Sequence, residues 1–193
     1  MALTLARPAT SELVIKKSRF LGCVQPVEGR AQALEVVAGL RAEHPGAAHV
    51  CWALLAGGQS AANDDGEPGG TAGRPMLEVL RHQDLEGVLA TVVRYFGGVK
   101  LGAGGLVRAY TDAVAQALLQ AEKLPLQKRV QLACSVPYAL EGMVRREVQA
   151  AGGTLGEVTH GSVVEMAFSV LEDAAAALQM RLNEAGQGQL AWL

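Results

Sequence analysis

Two runs, HVCWALLAG (His49 to Gly57) and GVLATVVRYF (Gly87 to Phe96), constrain the architecture most, because they are apolar on both alternating faces or rich in β-branched residues throughout. A strand of that kind has to be covered on both sides. Helical patterns alternate with them. From Arg30 to Glu43 the apolar residues Ala33, Val36, Val37 and Leu40 recur at helical spacing, and His44-Pro45-Gly46 supplies the stop. RPMLEVLRHQ reads as a short helix with Pro75 near its start. A further helix continues to about Ala121, with Leu106, Tyr110, Ala113, Val114, Ala117 and Leu118 on one face. The opening ELVIKKSRFLGCVQPV offers two β-prone runs around a basic turn of Lys16, Lys17 and Arg19, an antiparallel start. Between Gly57 and Pro75 the residues are too small, polar and glycine-rich for a helix or strand, so a long loop is expected there.

Lys123-Leu124-Pro125 breaks the last of these helices, which puts a domain boundary near Leu126 and gives domains 1–126 and 127–193. The second domain reads strand (Arg129 to Val136), helix (Tyr138 to Ala151), strand (Thr154 to His160), strand (Ser162 to Val170), helix (Asp173 to Ala185), strand (Gln189 to Leu193). That order is β-α-β-β-α-β, the ferredoxin-like plan, and the fold class of the chain is α+β.

A net charge of −2 creates no global field for nucleic acid, so any such binding depends on a local patch. Cys23, Cys51 and Cys134 are widely spaced with no C-x-x-C pair, which fits free thiols in a reducing, cytoplasmic compartment. The N-terminus has no apolar segment ahead of a cleavage site, and no apolar run approaches the roughly 18 residues of a membrane span.

The strongest candidate site is VVRYFGGVKLGAGGLVRAY, residues 92–110. Gly97, Gly98, Gly102, Gly104 and Gly105 lie between a strand and a helix, where bare amides and the helix dipole favour an anion. Arg94, Lys100 and Arg108 supply cations, and Tyr95 and Phe96 can stack on bases if their rings face outward. A purely structural use of the glycines, shaping a tight crossover, is the alternative. The phosphate-loop pattern G-x-x-x-x-G-K-[ST] is absent, and Val107 stands where a dinucleotide fingerprint needs its third glycine. Asp64, Asp65 and Glu67 do not follow the spacing of a calcium loop; they fit an acidic turn, or carboxylates that orient Arg74 or the cations of the glycine loop. His49 and Cys51 share one face of a strand, but both sit in an apolar run, so Cys51 reads as a core residue rather than a nucleophile. No catalytic residue, metal or cofactor is expected.

Three stretches together, KKSRFLGCVQPV, NDDGEPGGTAGRPML and VVRYFGGVKLGAGGLVRAY, resemble the IMPACT family, in its bacterial two-domain, YigZ-like branch. The resemblance implies an N-terminal domain like the second domain of a small-subunit ribosomal protein and a C-terminal domain similar to the fifth domain of elongation factor G. It places the family's glycine signature on Arg94 to Gly98, Lys100, Gly102, Gly104 and Gly105, and its acidic loop on Asp64 to Pro68. Relatives can carry an uncharged residue at Lys100, which shifts weight to Arg94 and the backbone donors. The eukaryotic relatives regulate translation through an additional N-terminal domain that this chain lacks. The functional expectation is a non-enzymatic cytoplasmic protein that contacts RNA or a ribosome-associated partner and regulates translation. Two alternatives stay open: an enzyme that holds a phosphate in the glycine loop, and an interaction scaffold without nucleic acid.

Overall fold

The two apolar runs become strands at the middle of one sheet. A computed structural model of the chain describes residues 2–193, which divide between Leu126 and Gln127 into two compact units. In the first, β1 (Leu3–Leu5) is followed by β2 (Ala9–Ile15), β3 (Ser18–Pro26), α1 (Arg30–Glu43), β4 (His49–Ala56) and β5 (Gln59–Asn63). Then come α2 (Gly73–His82), β6 (Val88–Tyr95), α3 (Gly102–Leu118) and β7 (Lys123–Pro125), which pairs back on β1. The main sheet has the order β2-β3-β6-β4-β5 with every neighbour antiparallel.

Alternation along β4 and β6 explains why both faces are apolar. Val50, Trp52, Leu54, Leu89 and Val93 pack with Ala33 and Val37 of α1. Cys51, Ala53, Val88, Ala90 and Val92 point the other way, into Met76 and Leu80 of α2 and Leu106, Tyr110, Ala113 and Val114 of α3. α3 comes close to the sheet because its facing residues are small. A Cβ on Gly22 would overlap Ser11 Oγ and lie 2.8 Å from the Ala113 carbonyl, which Ser11 bonds at 2.6 Å.

The long polar segment contains a strand that was not expected. Gly57 and Gly58, both at positive φ, make a two-residue turn that folds the small, polar QSAAN back on β4 as edge strand β5. The glycine pair signals a hairpin, not only an end. Lys123-Leu124-Pro125, a helix breaker in the sequence, likewise forms β7.

The second unit runs β8 (Arg129–Val136), a 3-10 turn (Tyr138–Leu140), α4 (Glu141–Ala150), β9 (Thr154–His160), β10 (Val164–Leu171), α5 (Glu172–Gly186) and β11 (Ala191–Trp192). Its sheet order, β11-β8-β10-β9, is antiparallel throughout and is that of a ferredoxin-like fold. Cys134, Val136, Met166 and Phe168 bury one face under Val144, Val148, Leu178 and Leu182 of the two helices. The chain is therefore a mixed α and β structure in both units. The three cysteines are free thiols, and among the described residues no helix is long and apolar enough to cross a membrane.

Candidate functional site

β6 ends at the glycine loop, and pairing in the sheet decides which of its side chains face out. Arg94 lies opposite Phe20 on β3 and His49 on β4, so these three stand in a row on the face covered by α2 and α3. Arg94 is consequently buried, 5% exposed. Its Nη1 donates to Glu67 Oε1 at 2.6 Å, Nη2 reaches Ser18 Oγ at 3.4 Å, and Nε has no partner. The guanidinium carbon lies 5.4 Å from the Phe20 ring centre and 5.6 Å from that of Phe96. Arg94 is not a surface anion contact, as the sequence suggested. It is the internal counter-ion of Glu67.

Glu67 reaches the interior from the acidic loop. Tyr110 OH donates to the same Oε1 at 2.7 Å, and His49 Nε2 lies 3.7 Å from Oε2. The loop is fixed on three further sides. Asp65 Oδ1 accepts from Arg41 at 2.9 Å and Oδ2 from the Val50 N–H at 2.7 Å, while the Asp65 carbonyl lies 2.7 Å from His49 Nδ1. Asp64 accepts from the amides of Gly70, Ala72 and Gly73 and so caps α2, whose N-cap residue Ala72 has no polar side chain of its own. Of the two orientation targets considered from sequence, the loop takes the glycine-loop cation Arg94 and leaves Arg74 exposed and unpaired.

Partial burial would raise the Asp64 carboxyl, but the three amides outweigh it and hold it below its ordinary value of 3.8. A depressed carboxylate contributes stability above its unfolded pKa and loses that contribution as pH falls through the folded value. Asp64→Ala is expected to cost about 1–2 kcal/mol at neutral pH. In an acid titration of thermal stability, the gap between wild type and variant should close below pH 3.8. A gap independent of pH would contradict the capping role.

Cys51 is fully buried, with Sγ 3.1 Å from the Asp64 carbonyl and 3.5 Å from Tyr110 OH. Burial, with the nearby carboxylates, pushes its thiol up to about 12 despite the Tyr110 bond. His49 is occupied by Asp65 and Glu67, so the two do not form a nucleophile pair. Burial also raises the Tyr110 phenol, which stays a neutral donor.

The outward part of the site is the loop itself. Tyr95 is half-buried, its OH 2.7 Å from His44 Nδ1 and its ring under Arg19, so of the two it is Phe96, 54% exposed beside the Arg94 guanidinium, that presents its ring to solvent. Gly97 packs on the backbone of Lys17 and Ser18 and donates its N–H to Ser18 Oγ at 3.2 Å. Gly98 and Gly102 take positive φ and face open space, as does Gly104, whereas Gly105 lies against Leu101. α3 starts at Gly102 with no side-chain cap, leaving its first amides toward solvent. Lys100 and Arg108 are exposed. So are Lys16 and Lys17, brought beside the loop by the Gly97 contact, and none of the four pairs with a carboxylate among the described residues. The structure thus divides the sequence candidates into a buried pair, Arg94 and Glu67, with the half-buried Asp64 and Asp65 holding their loop, and an open set, Phe96, Gly98, Lys100, Gly102, Gly104 and Arg108.

Sequence reasoning left out Ser18, Tyr110 and His49 as partners in the buried network. The available signal was a tyrosine on an otherwise apolar helix face, since a buried phenol needs an acceptor.

The comparisons with known proteins agree along the chain. The Impact N-terminal domain matches residues 16–118, and a domain of unknown function matches 134–189. The chain is 35% identical over 189 residues to the IMPACT family member YvyE of Bacillus subtilis (strain 168), covering 96% of this chain and 87% of that one. It is 48% identical over 120 residues to the IMPACT family member YigZ of Escherichia coli (strain K12), covering 60% and 59%. A crystal structure described as that of a hypothetical protein superposes with a TM-score of 0.83 at 34% identity, over 100% of this chain and 96% of the other. With its glycine loop, its acidic loop and both matched regions in place, the chain belongs to the IMPACT family, in a YigZ-like form.

Proposed function

We propose that this chain is a non-enzymatic RNA-binding protein of the cytoplasm that acts on the translation machinery. The observation that carries the reading is the uncapped start of α3, with open glycines, Lys100 two residues before it and Arg108 in its second turn, on a loop whose Gly97 packs against the Lys16-Lys17 turn; all four cations are exposed and have no carboxylate partner among the described residues. Helix amides and their dipole favour phosphate, and clustered lysines and arginines extend that preference along a polyanion. The Lys16-Lys17 turn adds support. Both residues take positive φ, at 46° and 67°, in a two-residue hairpin turn where Asn-Gly is the easy choice. Two lysines there cost about 1–2 kcal/mol each in backbone strain, which suggests a use for their charge. The direction toward translation rests on the resemblance to ribosomal and elongation-factor domains.

Lys100→Glu combined with Arg108→Glu is expected to weaken RNA binding by roughly tenfold or more at low salt, with the salt slope reduced by about 2. Both residues are exposed, so the unfolding temperature should hold. Fluorescence anisotropy on a short single-stranded RNA across a salt series reads this out. Affinity equal to that of the wild type, or binding insensitive to salt, would remove the reading.

A further inference from the structure

Away from that loop, α2 and α3 enclose a groove of about 600 Å3, within the range of about 300–1,000 Å3 usual for small-molecule sites. Met76, Leu77 and Leu80 of α2 turn toward the core, which leaves the opposite half of the helix to form one wall. Arg74, Glu78 and His82 recur there at four-residue spacing, with Pro75 and Val79 beside them as the apolar floor. Val107 and Thr111, one turn apart on α3, make the facing wall. From Arg74 to His82 the groove runs roughly 12 Å along the helix.

Its charges are not balanced. Glu78 already holds Arg81 at 2.9 Å, and its carbonyl bonds His82 Nδ1 at 2.7 Å. Arg74 is exposed and, like Arg30 and Arg108, has no carboxylate partner among the described residues, whereas Arg7, Arg19, Arg41, Arg81 and Arg94 of the same unit each have one. It also stands in the first turn of α2, whose end amides are already taken by Asp64, so its guanidinium is not drawn into the cap. An apolar trough with an unpartnered guanidinium at one end complements an elongated apolar body ending in an anion.

We infer that the groove between α2 and α3 binds a small amphipathic carboxylate, its aliphatic chain over Pro75, Val79 and Val107 and its carboxylate on Arg74. The inference stands whether or not RNA binds.

Anilinonaphthalene sulfonate, an apolar anion, serves as the fluorescent probe on the folded full chain, with decanoate and decylammonium as competitors. Decanoate should displace the probe and decylammonium should not. Val107→Trp, which fills the groove from a partly exposed position, and Arg74→Glu, at an exposed one, should each weaken decanoate by about tenfold. Far-ultraviolet circular dichroism and a retained cooperative unfolding transition check that both variants keep the native fold. Arg74→Glu should in addition let decylammonium compete. Unchanged displacement in both variants would overturn the proposal, and so would loss in Val107→Trp alone, which would mean apolar binding without recognition of the carboxylate.

Discussion

Arg94→Met is expected to destabilise the first unit by about 3–5 kcal/mol, and Glu67→Gln by a similar amount. Both side chains are almost inaccessible, 6% and 3% exposed, so removing either leaves the other as a charge that water cannot reach. The loss does not stop at the pair. Without the Arg94 guanidinium, Glu67 retains Tyr110 as its short donor; without the Glu67 charge, Arg94 keeps only the long Ser18 contact and its already unpartnered Nε. Glu67 also sits on a loop tied to α1, β4 and α2 through Asp65 and Asp64, so its release loosens connections well beyond one contact. Arg94→Met with Glu67→Leu should recover a large part of the deficit, because two apolar side chains carry no unpaired charge. Urea unfolding followed by tryptophan fluorescence measures all three variants, Trp52 reporting from the sheet of this unit. If Arg94→Met lost less than about 1 kcal/mol, as an exposed ion pair would, the buried network would have to be abandoned.

The same residue shows where sequence reading stopped. Period-two alternation places Arg94 on the face of Val92, Ala90 and Val88, and a run apolar on both faces has no solvent side on which to put a charge. Burial of Arg94 was therefore legible; the neighbouring glycines drew the reading outward. Its partner was not legible, because Glu67 comes from a separate loop and only register across β3, β6 and β4 brings the pieces together. Local signals fared better. The limits of α1, β8 and β9 follow directly from helical spacing, alternation and glycine punctuation. β5 escaped because small polar residues on an edge carry no hydrophobic pattern, and only pairing with β4 makes them a strand. Phe96 and Tyr95 are adjacent and chemically alike, yet one is exposed with Arg94 near its ring and the other is held by His44, a distinction that only the folded chain contains.

Gly97→Ala is expected to be the most damaging single methyl addition in the glycine loop. A Cβ there would overlap the Lys17 carbonyl group and lie 2.5 Å from the Ser18 nitrogen, and both are backbone that no rotamer change can move aside. Relief requires the Lys16-Lys17 turn to separate from the loop, which also stretches the Gly97 N–H bond to Ser18 Oγ, and Ser18 is in turn the second contact of Arg94. The cost of such overpacking is typically about 1–3 kcal/mol. Gly104→Ala is the natural control. Nothing lies within 4 Å of a Cβ at Gly104, and the residue is in the first turn of α3, so alanine should be neutral or stabilise by up to about 1 kcal/mol. Thermal unfolding should therefore move in opposite directions for two glycines seven positions apart in the same segment. RNA affinity should fall for Gly97→Ala because Lys16 and Lys17 are carried away from Lys100 and Arg108, with no charge removed. Equal stability of Gly97→Ala and wild type would show that the turn and the loop are not in backbone contact, and Lys16 and Lys17 would have no place in the proposed RNA surface.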